Sequence, residues 1–495
     1  MSRQPLLVER AILVAIVVAY VALGAMYAAL TPPWQVPDEP AHYNYVRYLV
    51  EEKHLPVLQT GDYDQAYLSE ITTQKFAPEL SIDGIRYEFH QPPLYYLLLA
   101  PVYALSGGAL LPLRLCTVAL GAGILVVTYL VVKAIYPRRA WVALGAVALV
   151  ALIPQHIAMT AGVENDAPAE LILGLVLLRL VRWLQAAEEP PLRSHVVTGV
   201  IVALGLWTKS TAYIAVPLVV IAAALRAWRV SRATASKLRL RPALVATLAI
   251  LIPALLLSLP WFIRNVTVYG NLDLLGLKRH DEVVVGQMRT SEWLETYGWK
   301  QWPGTFLRTT FRSFWAQFGW MAVPIDWRVY TALRMLTVAG IVGFIFRATD
   351  AWDQGHRPTD AHILLLCSGL LTVGTYLWYN IGFYQAQGRY LFPALIPISL
   401  AWALGIHESL QPKTARWFAA VIAIVTGYDI AQLLFGSHGD KWKVLIHGLG
   451  TGYWGIRMLL PQGFEVWLFA ASYGLLGLLC AVSPFWFIVP NLTPQ

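Results

Sequence analysis

The sequence is dominated by uncharged apolar runs, and a run of about 20 residues has one common use: as a helix it is about 30 Å long, the thickness of a bilayer's hydrocarbon core. The first such run, Ala11 to Leu30, follows Arg3 and Arg10. It reads as a span rather than a cleavable signal, because no A-x-A site precedes a soluble domain. Further runs lie near 113–133, 141–161, 167–184, 193–208, 210–227, 242–263, 329–346, 361–381, 390–406, 417–435 and 466–489. They predict an all-α polytopic membrane protein with about twelve transmembrane helices. The runs 193–208 and 210–227 also read as one long helix interrupted at Lys209.

Composition agrees. Of 495 residues, 57% are hydrophobic and 13% charged, against about 25% charged in a soluble domain. The 37 Lys+Arg outnumber 29 Asp+Glu, a net charge of +8, and the basic residues cluster. Lys133/Arg138/Arg139, Arg226/Arg229/Arg232/Lys237/Arg239/Arg241 and Lys413/Arg416 share one face if the N-terminus is cytoplasmic, so the surplus reads as positive-inside bias and no nucleic-acid partner is expected. Cys116, Cys367 and Cys480 lie far apart in apolar runs and form neither a disulfide framework nor a zinc site.

Four segments then face outward: 31–112, 162–168, 264–328 and 436–465. The first is far longer than a connection needs to be, and long ordered loops usually carry function. Within it, Asp38-Glu39-Pro40 begins a helix through Glu52. Tyr45, Tyr48 and Leu49 share one side of that helix, which places it along the membrane surface. Gln91 to Leu105 is apolar but too short to span, and suits an interfacial or re-entrant helix.

Carboxylates beside a bilayer are costly to misplace, so their positions are informative. Asp38 and Glu39, with His42 one turn on, follow the first span, while Glu164-Asn165-Asp166 and Glu170 lie where the third span gives way to the fourth. Asp166 and Glu170, four apart, would share a helix face. Two readings stand for Asp38 and Asp166: N-caps of the helices that follow, or carboxylates converging on one cavity, one as general base and one positioning substrate or a metal.

Lys209, Arg264, Arg389 and Arg114 supply cations on the outer side. Each alone could simply snorkel, but several against the charge rule fit a site for an anionic group such as a phosphate. Trp293, Tyr297, Trp299, Trp302, Trp315 and Trp320 read as an interfacial belt. His90, His156, His280, His438 and His447 lack ligand spacing. No cofactor is called for, and a divalent cation on Asp38 and Asp166 is the one metal left open.

In layout the chain resembles the GT-C superfamily of membrane glycosyltransferases, the group of the protein O-mannosyltransferases and the aminoarabinose transferase of lipid A. The resemblance covers roughly residues 10–400 and rests on Pro37-Asp38-Glu39 and on His90-Gln91-Pro92-Pro93-Leu94-Tyr95-Tyr96. Glu164-Asn165-Asp166, Thr208-Lys209, Pro260-Trp261-Phe262-Ile263-Arg264-Asn265 and Gly388-Arg389-Tyr390-Leu391-Phe392-Pro393 support it. The Pro-Asp-Glu-Pro-Ala-His run, with Ser313-Phe314-Trp315-Ala316-Gln317-Phe318-Gly319-Trp320, is most similar to a poorly characterised bacterial branch.

The resemblance implies a catalytic module over 1–400, followed by C-terminal helices and an outer loop over 401–495. It further implies inverting transfer of a sugar from a polyprenyl-phosphate donor to an extracytoplasmic acceptor hydroxyl, at the cell membrane. Asp38, Glu39 and Asp166 map to the catalytic carboxylates. His42, His90, Gln91, Glu164, Asn165, Lys209, Arg264 and Arg389 are the expected substrate-binding residues. Gln91 departs from relatives that carry Lys there, so the carrier phosphate is gripped differently. The rival reading is a transporter or flippase, which would instead place ionisable residues in broken helices near the bilayer midplane.

Overall fold

The computed structural model of the protein describes residues 4–233, 240–436 and 439–494; Arg3, Lys237, Arg239 and His438, used above, lie outside them. Among these residues the one sheet is a two-stranded antiparallel pair, Gln317–Phe318 with Val323–Pro324. Everything else of regular structure is helical.

Helix α1 (Gln4–Leu30) leads to the end of the bundle where the first long loop folds as α2 (Glu39–Glu52), α3 (Gln65–Thr73), a 3-10 turn over Tyr87–His90, and α4 (Leu94–Ser106). The next pass, α5 (Leu110–Ile135), is followed by α6 (Ala140–Ala151) and α7 (Pro154–Thr160), bent against each other by 64°. Pro154 has no N–H with which to continue the ladder of α6. Then come α8 (Asp166–Gln185), α9 (Leu192–Leu206), α10 (Ala215–Ala233) and α11 (Leu240–Tyr269). The chain reverses between α9 and α10, since Arg226 on α10 reaches back to Glu189 just before α9. Lys209 therefore occupies a turn between two helices, not an interruption in one.

Three short helices, α12 (Leu277–Val283), α13 (Thr290–Tyr297) and α14 (Trp302–Trp315), precede the small sheet. The remainder is α15 (Trp327–Asp353), α16 (Asp360–Gly382), α17 (Leu395–Ser409), α18 (Pro412–Phe435), α19 (Lys441–Leu459), α20 (Glu465–Ser483) and α21 (Val489–Leu492). Helices α15 and α17 approach at backbone distance: a Cβ on Gly343 would run into the carbonyl of Gly405. Small residues at such a seam allow close packing where no water drives association.

Nine helices among the described residues are long and apolar enough to cross a membrane, or ten if α6–α7 counts as one broken span. Of the expected spans, 167–184 fails because α8 carries Asp166, Glu170, Arg179 and Arg182, and 193–208 fails because α9 has only 15 residues. Both are nevertheless packed in the bundle. Within the expected outer segment 436–465, α19 folds back along α18, with Thr426 bonded to Thr451 and Arg457 donating to the Leu410 carbonyl just before α18. Lys441, Lys443 and Arg457 keep α19 out of the apolar runs that the sequence displays. In consequence α20 runs toward the end carrying the first long loop, where Tyr27 donates to the Cys480 carbonyl at 3.0 Å. One buried apolar cluster accordingly extends from Tyr20 to Leu492.

Two placements expected from helix faces also change. Tyr45 does not rest on a membrane surface: it is fully buried and stacks on Tyr96 of α4, centroids 3.7 Å apart. Of the tryptophan-rich segment, Trp315 is core, Trp293 stacks on Tyr384, and Trp320 donates to the Trp34 carbonyl. Only Tyr297 and Trp299 are largely exposed and fit a belt.

Candidate active site

Asp38 caps α2 in position only. Its backbone takes the left-handed conformation (φ 67°) and its side chain makes no capping bond, a geometry that non-glycine residues adopt at some cost. The turn directs its carboxylate away from the helix, where Oδ1 accepts from the Tyr87 hydroxyl at 2.7 Å and Oδ2 from Arg389 Nη2 at 2.5 Å. Asp166, likewise, makes no cap and binds Lys209 Nζ at 2.6 Å. The capping reading thus fails for both residues.

Glu164 joins the two pairs. Its Oε1 lies 3.2 Å from both His42 Nε2 and Lys209 Nζ, and its Oε2 lies 3.9 Å from Arg389 Nη1. Behind it, Tyr96 receives His42 Nδ1 at 2.8 Å and Asn165 Nδ2 at 3.3 Å, while the Tyr95 hydroxyl accepts the Glu164 N–H at 2.9 Å. The first loop, the second loop, the α9–α10 turn and the start of Gly388–Ala394 thus meet at one place.

Burial separates wall from opening. Glu164 and His42 are each 1% exposed, but Lys209 is 13%, Asp166 17% and Asp38 23% exposed. Five buried polar atoms here have no hydrogen-bond partner: Glu88 Oε2, Glu164 Oε2, Asn165 Oδ1, Gln387 Oε1 and Arg389 Nε. Buried polar atoms are rarely left unpaired, so the cluster suits a polar ligand that completes them.

The electrostatics are tightly balanced. Burial works against a charge on His42, but the Glu164 carboxylate outweighs it and raises the pKa above the ordinary 6.5. Burial likewise opposes the Lys209 charge, yet Asp166 and then Glu164 raise its pKa. Burial would raise Glu164, but His42 and Lys209 hold it below the usual carboxylate range. Glu88 is the exception: burial raises it and His42 compensates only in part. It is the acid that sequence reasoning missed, lying two residues before the His90-Gln91-Pro92 run with no motif of its own.

A group whose folded pKa is raised contributes stability below its unfolded pKa and loses it as pH rises through the folded value. For His42 that loss sets in above the ordinary 6.5. We expect melting curves measured across this range to show stability falling with pH, and the slope to flatten in His42→Gln.

Several expected residues have other partners. Glu39 is fully buried, and its two oxygens accept from Arg114 Nε (2.7 Å), Arg114 Nη2 (2.6 Å), the Trp34 N–H (3.0 Å) and the Val163 N–H (3.1 Å). No lone pair is left for substrate. Arg114 also receives no phosphate, because it ties the end of α1 through the Ala28, Thr31 and Pro32 carbonyls. Arg264 donates to Asn265, Tyr269 and the Pro56 carbonyl and packs 5.0 Å over Trp261, bracing the first loop rather than joining the cluster. His90 bonds the Tyr87 carbonyl and faces His280; burial and then His280 lower its pKa well below the ordinary value. Gln91 offers its backbone carbonyl to Tyr45. Glu170 turns from Asp166 to His156 at 3.1 Å.

Asp38 and Asp166 are each committed to a basic group, and no three His, Cys, Asp or Glu side chains among the described residues are arranged around a metal.

Arg389 is positioned by the Ser313–Trp320 run. Ser313 Oγ accepts the Gly388 N–H at 2.7 Å, and a Cβ on Gly388 would strike the Thr310 carbonyl and the Phe314 backbone. Gly388→Ala should therefore displace Arg389 and weaken binding of an anionic ligand about tenfold, about 1.4 kcal/mol, as measured by its dissociation constant.

The family described as dolichyl-phosphate-mannose-protein mannosyltransferase matches residues 90–257. That segment contains His90, Gln91, Glu164, Asn165, Asp166 and Lys209. Among solved structures, ArnT from Cupriavidus metallidurans in the apo state is similar at TM-score 0.52 and 14% identity, over 95% of this chain and 76% of that one. The same protein bound to undecaprenyl phosphate aligns at TM-score 0.45 and 15% identity, over 99% and 74%. The Pmt1-Pmt2 protein O-mannosyltransferase complex of S. cerevisiae, bound to the sugar donor, aligns at TM-score 0.38 and 16% identity, over 52% and 34%. No curated protein sequence matches. The chain is thus a multi-pass membrane protein whose helical fold is similar to that of ArnT across nearly its whole length, and its segment 90–257, which carries Glu164, Asp166 and Lys209, matches the mannosyltransferase family.

Proposed function

We propose that the protein transfers a sugar from a polyprenyl-phosphate-linked donor to an acceptor hydroxyl on the extracytoplasmic side of the cell membrane, with inversion at the anomeric carbon. The observation that carries this reading is the pairing of Asp38, more open than Asp166 or Glu164, with Arg389, while Lys209 lies beside it on Asp166 and Glu164. The acceptor oxygen attacks the anomeric carbon as the bond to the carrier phosphate breaks. The hydroxyl proton passes to Asp38, a general base, and the departing phosphate needs positive charge rather than a general acid.

Arg389 and Lys209 meet that need by exchanging carboxylate partners for phosphate oxygens, which frees Asp38 for the acceptor. Lys209, Arg389 and His42 face Asp38, Glu164 and Asp166 across the cluster. The extracytoplasmic assignment rests on the basic clusters at the opposite end of the bundle.

Native mass spectrometry of the purified protein tests this reading. A retained polyprenyl phosphate, lost in Lys209→Ala and in Arg389→Ala, is the expected result. An affinity for added polyprenyl phosphate unchanged by both substitutions would overturn the assignment of these cations.

A further inference from the structure

At the end of the bundle away from Asp38 lies a second polar cavity, of about 90 Å³, between α8, α9 and α11. Arg179, Arg182, Trp183, Ser194, His195 and Thr198 contribute to its lining. Arg179 is thirteen residues beyond Asp166 on one helix, or about 20 Å at 1.5 Å per residue, so this cavity is separate from the candidate active site.

Its charge is one-sided. Arg179 donates through Nε to Thr198 Oγ1 (3.2 Å) and through Nη2 to the Ser194 carbonyl (2.7 Å) and hydroxyl (2.6 Å). These bonds lock the guanidinium to the first turns of α9 and leave Nη1 without a partner. Arg182 is exposed and makes no bond among the described residues. Among the described residues neither arginine has a carboxylate within ion-pair distance. The nearby acid, Glu189, is already engaged by Arg226 (2.8 Å), His195 (2.9 Å) and the Trp183 indole (2.9 Å). The N-terminal end of α9 adds its partial positive charge.

The surroundings indicate where a ligand comes from. Leu192, Val196, Val197 and Val200 on α9, and Leu244, Val245, Leu248 and Ile252 on α11, are exposed apolar side chains beside the cavity. In a membrane protein such faces meet acyl chains, so a phosphate ester whose tails lie against them fits better than a free anion. Arg179 Nη1 and the Arg182 guanidinium remain as charged N–H donors for phosphate oxygens.

We propose that this cavity binds the phosphate of an anionic lipid headgroup in the leaflet at the basic end of the protein. It is a second lipid site, independent of the transferase reading.

The test titrates the full-length protein in detergent with phosphatidylglycerol, phosphatidylcholine and inorganic phosphate, reading bound lipid by native mass spectrometry. The unaltered chain and Arg138→Gln, an exposed arginine on the same face, should retain phosphatidylglycerol in preference to phosphatidylcholine. Arg179→Gln/Arg182→Gln should bind it about tenfold more weakly, a loss of about 1.4 kcal/mol. Arg182→Gln alone, which disturbs no internal bond, should show part of the loss and guards against a folding defect. Displacement of the lipid by millimolar inorganic phosphate would assign the site to small anions and overturn the lipid source. Equal phosphatidylglycerol affinity in all four proteins would overturn the site itself.

Discussion

Asp38→Asn is expected to lower the rate of sugar transfer by about three orders of magnitude, the scale of a lost general base, with little change in the melting midpoint. The amide keeps the carboxylate's shape. The Tyr87 hydroxyl, which now donates to Oδ1 at 2.7 Å, can rotate to accept from the new NH2, and the amide oxygen can still receive Arg389. What is lost is an oxygen able to take a proton. Rates measured with a lipid-linked sugar donor, alongside donor affinity, separate the possibilities. Undiminished affinity with collapsed turnover is the signature of a missing base. A variant turning over within tenfold of the parent would remove Asp38 from the chemistry and leave its strained turn and half-open carboxylate unexplained.

The neighbouring residue should behave in the opposite way. Glu39→Gln is expected to destabilise the protein by about 3–5 kcal/mol, the usual cost of stripping one partner from a buried ion pair, and to lower activity only as far as it lowers the folded fraction. Gln offers one acceptor where Glu39 offers two oxygens to four donors, and leaves the Arg114 guanidinium buried without its counter-charge. Arg114 also binds three carbonyls at the end of α1, so the damage spreads to the joint between the first span and the first loop. Thermal unfolding in detergent checks the prediction. A Glu39→Gln protein that melts like the parent but transfers no sugar would return Glu39 to the catalytic set.

These two adjacent acids show how far a sequence reaches. Asp38-Glu39 could be recognised as important from its place after a span, and the resemblance mapped both residues to catalysis. Nothing in the order of residues says which one turns inward. Consecutive residues at a helix start point in different directions, and here one faces α5 and the other the open cluster. The choice was made by Arg114, 75 positions beyond Glu39, and by Arg389, 351 positions beyond Asp38.

The same divide runs through the rest of the molecule. Local hydrophobicity determined that the chain is a bundle of membrane-spanning helices, because the cost of exposing polar groups to lipid is paid residue by residue and leaves long uncharged runs. It also located the loops, since their charges and prolines interrupt those runs. Hydrophobicity was a poorer guide to α8, α9 and α19, which carry charges or are short, and whose charged groups are accommodated by contacts such as Glu170 with His156 and Arg457 with the Leu410 carbonyl. The convergence of Asp38, Glu88, Glu164, Asp166, Lys209 and Arg389 was decided by tertiary structure alone. Charges this far apart in the chain find one another only after the helices that carry them have packed.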